Sequence, residues 1–167
     1  VSLHKKGSTL TPQNYRGITI NSCMSKLFGS IMNNRLQQFD AKYGLINKCQ
    51  IGSRSGSRTT DHMFVLHTLM DKYVEASKGK LYACFVDFEK AFDRVWRKGL
   101  LLKLQKSGIR GKFYEVLKQM YSNVQWCVRA NEYQHTGMFP ANIGVKQGDV
   151  LSPFLFNLYL NDLPDSI

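Results

Sequence analysis

Met24, Leu27, Phe28, Ile31, Met32 and Leu36 recur at the spacing of a helix with one apolar face, with Asn21 or Ser22 as cap. That stripe is expected to be core. A second amphipathic helix is predicted through Met63, Phe64, Leu66, His67, Met70, Tyr73 and Val74, opened by Thr60 or Asp61 and closed by Lys78-Gly79-Lys80. His67 lies near the apolar edge of this helix and reads as a satisfied core histidine. Leu81-Tyr-Ala-Cys-Phe-Val-Asp87 is a short apolar run stopped by charge, the pattern of a strand buried on both faces. Helical spacing returns from Val95 and Trp96 to Lys106, with a stop at Ser107-Gly108, and again at Phe113, Val116, Leu117, Met120 and Tyr121. Val124–Ala130 alternates like a half-buried strand, Asn131-Glu132 makes a turn, and Gly137–Ile143 returns as its partner. Arg16–Ile20 is a further short strand candidate. Ser152-Pro153 sets the start of a last apolar helix, Phe154–Leu163. Helices, a strand, helices, a hairpin and a helix in this order read as α+β with an antiparallel sheet.

Composition narrows the class of partner. Net charge is +11 over 167 residues, and it is uneven: residues 1–60 hold nine Lys and Arg against Asp40 alone, a balance of +8. A basic half of this kind suits a polyanion, most often nucleic acid. No apolar run approaches the ~20 residues of a membrane span. Cys23, Cys49, Cys84 and Cys127 are scattered, with Cys23 and Cys84 in apolar settings. They read as small core residues of an intracellular, reducing compartment, cytoplasm or nucleus. The chain opens on Val1 rather than Met, and we read it as a piece of a longer polypeptide.

The candidate chemistry centres on Asp87. A carboxylate at the end of a buried strand needs compensation, which a divalent metal, a nearby Lys or Arg, or a helix N-terminus could each supply. Gly52-Ser-Arg-Ser-Gly-Ser-Arg58 offers backbone N–H groups beside Arg54 and Arg58, suited to tracking a sugar-phosphate backbone, although its composition also fits a linker. Lys5, Lys6 and Arg16 add a basic loop. Asp93 reads as structural, paired with Arg97 one turn on.

Three stretches, taken together, are more specific than any one. They are Asn14-Tyr-Arg-Gly-Ile-Thr-Ile20 with the helix that follows, Phe85-Val-Asp-Phe-Glu-Lys-Ala-Phe-Asp-Arg-Val95, and Gly144-Val-Lys-Gln-Gly-Asp-Val-Leu-Ser-Pro-Phe-Leu-Phe-Asn-Leu-Tyr159. In this order they resemble the reverse transcriptase domain of non-LTR (LINE-type) retrotransposons over nearly the whole chain. Gln50–Asp61 is similar to the family's basic loop, departing from it at Ser53. The resemblance implies a partial right-hand polymerase, with helical fingers in residues 1–80 and fingers and palm in 81–167. It implies RNA template, DNA primer and dNTPs as partners and two Mg²⁺ ions as cofactor, with Mn²⁺ as substitute. Asp87 matches the first catalytic aspartate and Phe88 a residue offering its backbone carbonyl to a metal. Phe92 matches the bulky position that excludes a ribose 2′-hydroxyl. Gln147 and Gly148 match the loop that contacts the incoming nucleotide, and Arg16 and Lys6 match triphosphate ligands of the fingers. The family's Asp-Asp hairpin has no counterpart, since the sequence contains no Asp-Asp pair, and the thumb is missing. The fragment is therefore expected to be inactive on its own. A group II intron maturase fragment is disfavoured, because its first motif usually reads Arg-Pro where this chain has Arg16-Gly17. A non-catalytic nucleic-acid-binding remnant of a polymerase is the reading from another class.

Overall fold

The computed structural model describes residues 1–129 and 133–166. It divides into two compact units, Val1–Asn47 with Lys90–Ile167, and Lys48–Glu89.

In the first unit, β1 (Ser2–His4) pairs antiparallel with β2 (Tyr15–Gly17), with Leu3 opposite Arg16. Ser22 then caps α1 (Cys23–Tyr43), its hydroxyl accepting the Ser25 N–H at 3.2 Å, and Gly44 ends the helix at φ 63°. Two helices follow, α3 (Arg97–Lys106) and α4 (Gly111–Tyr121), with the second unit's α2 (Thr59–Met70) between α1 and α3 in sequence. β3 (Gln125–Trp126) pairs with β4 (Phe139–Pro140), and α5 (Ser152–Tyr159) carries Pro153 in its first turn. The core is helical. Leu100 and Leu104 of α3, Leu117 of α4, and Leu151, Leu155 and Leu158 in and beside α5 are almost fully buried, and α3 packs against both α4 and α5. Each such leucine contributes about 1.5–3 kcal/mol relative to exposure. Val95 and Val145 join this core.

The second unit is a loop, then α2, which continues as a π-helical turn, Asp71–Ala76. Asp61 accepts the Arg58 N–H at 2.7 Å, so Arg58 and not Thr60 stands at the N-cap. None of the α2 residues is fully buried.

Several expectations are corrected here. Leu81–Asp87 is not a strand: residues 81–88 have no regular structure, and Tyr82, Phe85 and Val86 are 85%, 84% and 72% exposed. A two-faced buried strand exists only between neighbours, and the described strands pair only as β1–β2 and β3–β4. The antiparallel sheet expected from the pattern is accordingly two separate two-stranded ribbons among the described residues. Of the α1 stripe only Met32 and Leu36 are buried, while Met24, Leu27, Phe28 and Ile31 are exposed. Spacing identifies an apolar face but not what covers it. His67 is likewise exposed and bonds Asp71 at 2.9 Å one turn on. Cys23 and Cys84 are exposed, not core. The predicted Val124–Ala130 and Gly137–Ile143 strands shrink to β3 and β4 with one bridge, Arg129 to His135, and the Asn131-Glu132 turn lies outside the described residues. The last helix stops at Tyr159 rather than Leu163. Finally, Arg97 does not pair with Asp93; its guanidinium is committed elsewhere, to four carbonyls.

Candidate nucleotide site

The loop Gly144–Asp149 is held from below before it offers anything to a ligand. The Gly144 N–H donates to the Val95 carbonyl and the Val145 N–H to the Phe92 carbonyl, both at 2.8 Å, so residues 92–95 and 144–145 run side by side. Gly144 has φ 81°, and a Cβ there would lie 2.6 Å from the Asp93 carbonyl oxygen, so only glycine fits. Arg97, at the start of α3 and only 7% exposed, donates from Nε to the Gly144 carbonyl at 2.8 Å and from Nη2 to the Ile143 carbonyl at 3.1 Å. Its Nη1 donates to the carbonyls of Tyr121, at 3.1 Å, and Ala141. The planar fork lets one side chain satisfy four carbonyls at once, more than an ammonium's three N–H groups can serve. Burial holds the Arg97 pKa below the ordinary arginine value. Burial also pushes the Tyr121 phenol, whose ring lies 5.4 Å beneath the guanidinium, up to about 12.

The far end of the loop meets the connector between β2 and α1. The Thr19 N–H donates to the Gln147 carbonyl at 2.8 Å, and Gly148, at φ 98°, would place a Cβ 3.2 Å from the Thr19 carbonyl oxygen. Gln147 and Gly148 are thus brought against the segment that follows Arg16. Arg16 itself is exposed on β2, and Lys6 is exposed in the β1–β2 connection; among the described residues no hydrogen bond joins either to Gln147 or Gly148. Phe92 is half-buried, packed on the helical core and stacked on Phe156 with ring centroids 4.8 Å apart at 24°. Beside this loop a cleft of about 490 Å³ is lined by Ile18, Thr19, Asp93, Trp126, Arg129 and Lys146 among others. The buried Trp126 indole N–H has no acceptor among the described residues.

The remaining predicted site residues belong to the second unit. Asp87 is exposed in the irregular 81–88 segment, with Phe88 beside it 45% exposed. Arg54 is half-buried, its guanidinium 3.5 Å from the Gln50 carbonyl, and Arg58 is exposed at the start of α2. A two-ion site needs several oxygen ligands per ion. No group of three or more His, Cys, Asp or Glu that could hold a metal occurs among the described residues.

Sequence reasoning paired Arg97 with Asp93, offered Asn21 only as a cap of α1 and gave Asp149 no role of its own. A basic residue at the head of an otherwise leucine-rich helix was a signal for the first; a polar side chain just before a cap gave no sign of its distant partner.

The comparisons agree with the motifs. The family profile for reverse transcriptase (RNA-dependent DNA polymerase) matches residues 3–167. The chain is 34% identical over 166 residues to the probable RNA-directed DNA polymerase from transposon BS of Drosophila melanogaster, covering 97% of this chain and 18% of that protein. It is 31% identical over 167 residues to the RNA-directed DNA polymerase from mobile element jockey of the same species, covering 98% of this chain and 18% of that protein. To the retrovirus-related Pol polyprotein from type-1 retrotransposable element R2 of Popillia japonica it is 30% identical over 162 residues, 95% of this chain and 22% of that protein. The chain therefore spans only about a fifth of the length of these curated relatives. With the profile matched almost from end to end, the chain belongs to the reverse transcriptase family.

Proposed function

We propose that this chain is part of an RNA-directed DNA polymerase of a non-LTR retrotransposon, contributing its fingers (residues 1–80) and part of its palm to the copying of element RNA into DNA. The observation that carries the reading is the family match over residues 3–167, with all three motifs in order. RNA template, DNA primer and dNTPs are the partners, in the cytoplasm or nucleus. Arg16 and Lys6 would bind the triphosphate, and Gln147 and Gly148 the nucleotide, with Gly148 allowing close backbone approach. Phe92 would sit under the sugar, where a 2′-hydroxyl overlaps the ring and a deoxyribose does not. Arg54 and Arg58 would follow the nucleic-acid backbone. Asp87, with the Phe88 carbonyl, would contribute to holding Mg²⁺ or Mn²⁺. Two such ions, when bound, neutralise charge on the attacking and leaving oxygens of nucleotidyl transfer. No helix of the described residues is long and apolar enough to cross a membrane.

The chain alone is expected not to polymerise, because Asp87 lacks the other carboxylates. Purified chain, primed RNA, dNTPs and Mg²⁺ in an extension assay should give no product. Extension that Asp87→Ala abolishes would refute this.

The basic half should still bind. Charge of +8 in residues 1–60 predicts RNA affinity with little sequence preference that falls about tenfold or more between 50 and 200 mM salt. Fluorescence anisotropy with labelled RNA measures this, and an affinity indifferent to salt contradicts it. A chain that bound neither primed RNA nor dNTP at low salt would overturn the functional reading as a whole.

A further inference from the structure

Residues 19–21 and 147–149 are tied together by more than their backbones. Besides the Thr19–Gln147 bond, Asn21 Nδ2 donates to Asp149 Oδ2 at 3.1 Å. The other carboxylate oxygen, Oδ1, accepts the Leu151 N–H at 3.2 Å, next to the first turn of α5. Asp149 is only 7% exposed. It is accommodated because residue 29 of α1 is glycine: a Cβ there would stand 3.3 Å from Asp149 Oδ1, tighter than ordinary contact. A buried carboxylate is expensive unless each oxygen is satisfied, and here one oxygen is bonded by α5's approach and the other by the connector that follows Arg16.

We propose that Asn21 and Asp149 form a latch that fixes the β2–α1 connector against Gln147–Gly148, making Asp149 a positioning residue for the incoming deoxynucleoside triphosphate. The role rests on the reading of Arg16, Gln147 and Gly148 as nucleotide contacts. Those contacts come from segments more than a hundred residues apart in sequence. Their mutual distance must be set before the ligand arrives if both are to engage one nucleotide without a large ordering cost.

The chemistry of the pair supplies a selective test. In Asn21→Asp two carboxylates would face each other in a largely buried place, and one oxygen would lose its donor. An acid just ahead of α1 is otherwise favourable to that helix, so a loss cannot be laid to a weakened helix. In Asp149→Asn the new amide can keep its oxygen on the Leu151 N–H and turn its NH₂ to Asn21, whose own amide rotates to accept it. This variant should stay near wild type. The double variant Asn21→Asp with Asp149→Asn restores donor to acceptor with direction reversed, and should recover.

Hydrogen exchange at the Thr19 amide and titration with Mg²⁺·dTTP are both read on the chain as it stands, with tryptophan fluorescence as a check of folding. Asn21→Asp should speed Thr19 exchange and weaken dTTP binding, each by about tenfold or more, and adding Asp149→Asn should bring both back to within about threefold, a tenfold change being about 1.4 kcal/mol. If wild type binds dTTP and Asn21→Asp binds it equally well, or if Asp149→Asn fails to suppress the loss, the latch is overturned while the nucleotide reading stands. If exchange follows the expected pattern but no form binds dTTP, the nucleotide reading falls, and the positioning role with it.

Discussion

Arg97→Leu is expected to be among the most damaging single substitutions in the first unit, lowering its unfolding free energy by at least about 3 kcal/mol. The leucine fills part of the volume but leaves the carbonyls of Gly144, Tyr121, Ala141 and Ile143 without their donor. An unsatisfied buried polar group costs about 1–3 kcal/mol, and the bonds to Gly144 and Tyr121 are buried. Arg97→Lys keeps the charge but offers one compact ammonium in place of a fork, and should recover only part of the loss. Exposed Lys98, the next residue along, supplies the control, since Lys98→Leu removes a cation from the same helix turn without touching those carbonyls. Trp96 and Trp126 both lie in the first unit, so denaturant unfolding followed by tryptophan fluorescence reports that unit. Equal midpoints for Arg97→Leu and Lys98→Leu would contradict the assignment.

Gly144→Ala should cost as much or more, for two separable reasons. A left-handed backbone costs a non-glycine residue roughly 1–2 kcal/mol, and position 144 has φ 81°. The added Cβ would then lie 2.6 Å from the carbonyl oxygen of Asp93 and 3.0 Å from its carbonyl carbon and Cα. These are backbone atoms, which cannot swing away as a side-chain tip would. The 92–95 and 144–145 segments would have to part, breaking the Gly144–Val95 and Val145–Phe92 bonds. Gly44 isolates the first cost from the second, because it has φ 63° with nothing within 4 Å of its would-be Cβ. Gly44→Ala should therefore show the conformational cost alone. The excess of Gly144→Ala over Gly44→Ala, by the same unfolding measurement, is the cost of separating the loop from its support; no excess would mean the loop is free to move.

Local chemistry was the legible part of this chain. The cap of α1 at Asn21 or Ser22 (Ser22 in the structure), the stop at Gly108 and the Pro153 start of α5 each rest on one or two neighbouring residues. The motifs around Phe92 and Gln147–Gly148 were equally plain, since a family pattern is a string of neighbours. What stayed hidden depends on partners far along the chain. The Leu81–Asp87 run has the composition of a buried strand, yet burial needs strands alongside, and composition cannot announce them. Met24, Leu27, Phe28 and Ile31 keep helical spacing while remaining exposed, for the same reason. Arg97 was assigned to Asp93 because a charge pair within one turn is the simplest local inference; the carbonyls it holds lie 24 to 47 residues away. Asn21 and Asp149, 128 residues apart, are the extreme case.

The bare 81–88 segment also bears on how the molecule behaves in a crowd. Tyr82, Phe85 and Val86 expose apolar side chains on a segment without regular structure, a template on which a second extended chain could assemble. Lys78 and Lys80 before it, and Glu89 and Lys90 after it, act as charged gatekeepers. With a net charge of +11, mutual repulsion between molecules adds to their effect. That repulsion reaches about 30 Å at 0.01 M salt but only about 8 Å at 0.15 M. Colloidal stability and the RNA affinity proposed above are thus tied to one variable. Added salt that would release the chain from a polyanion also lets two such segments come within reach of each other.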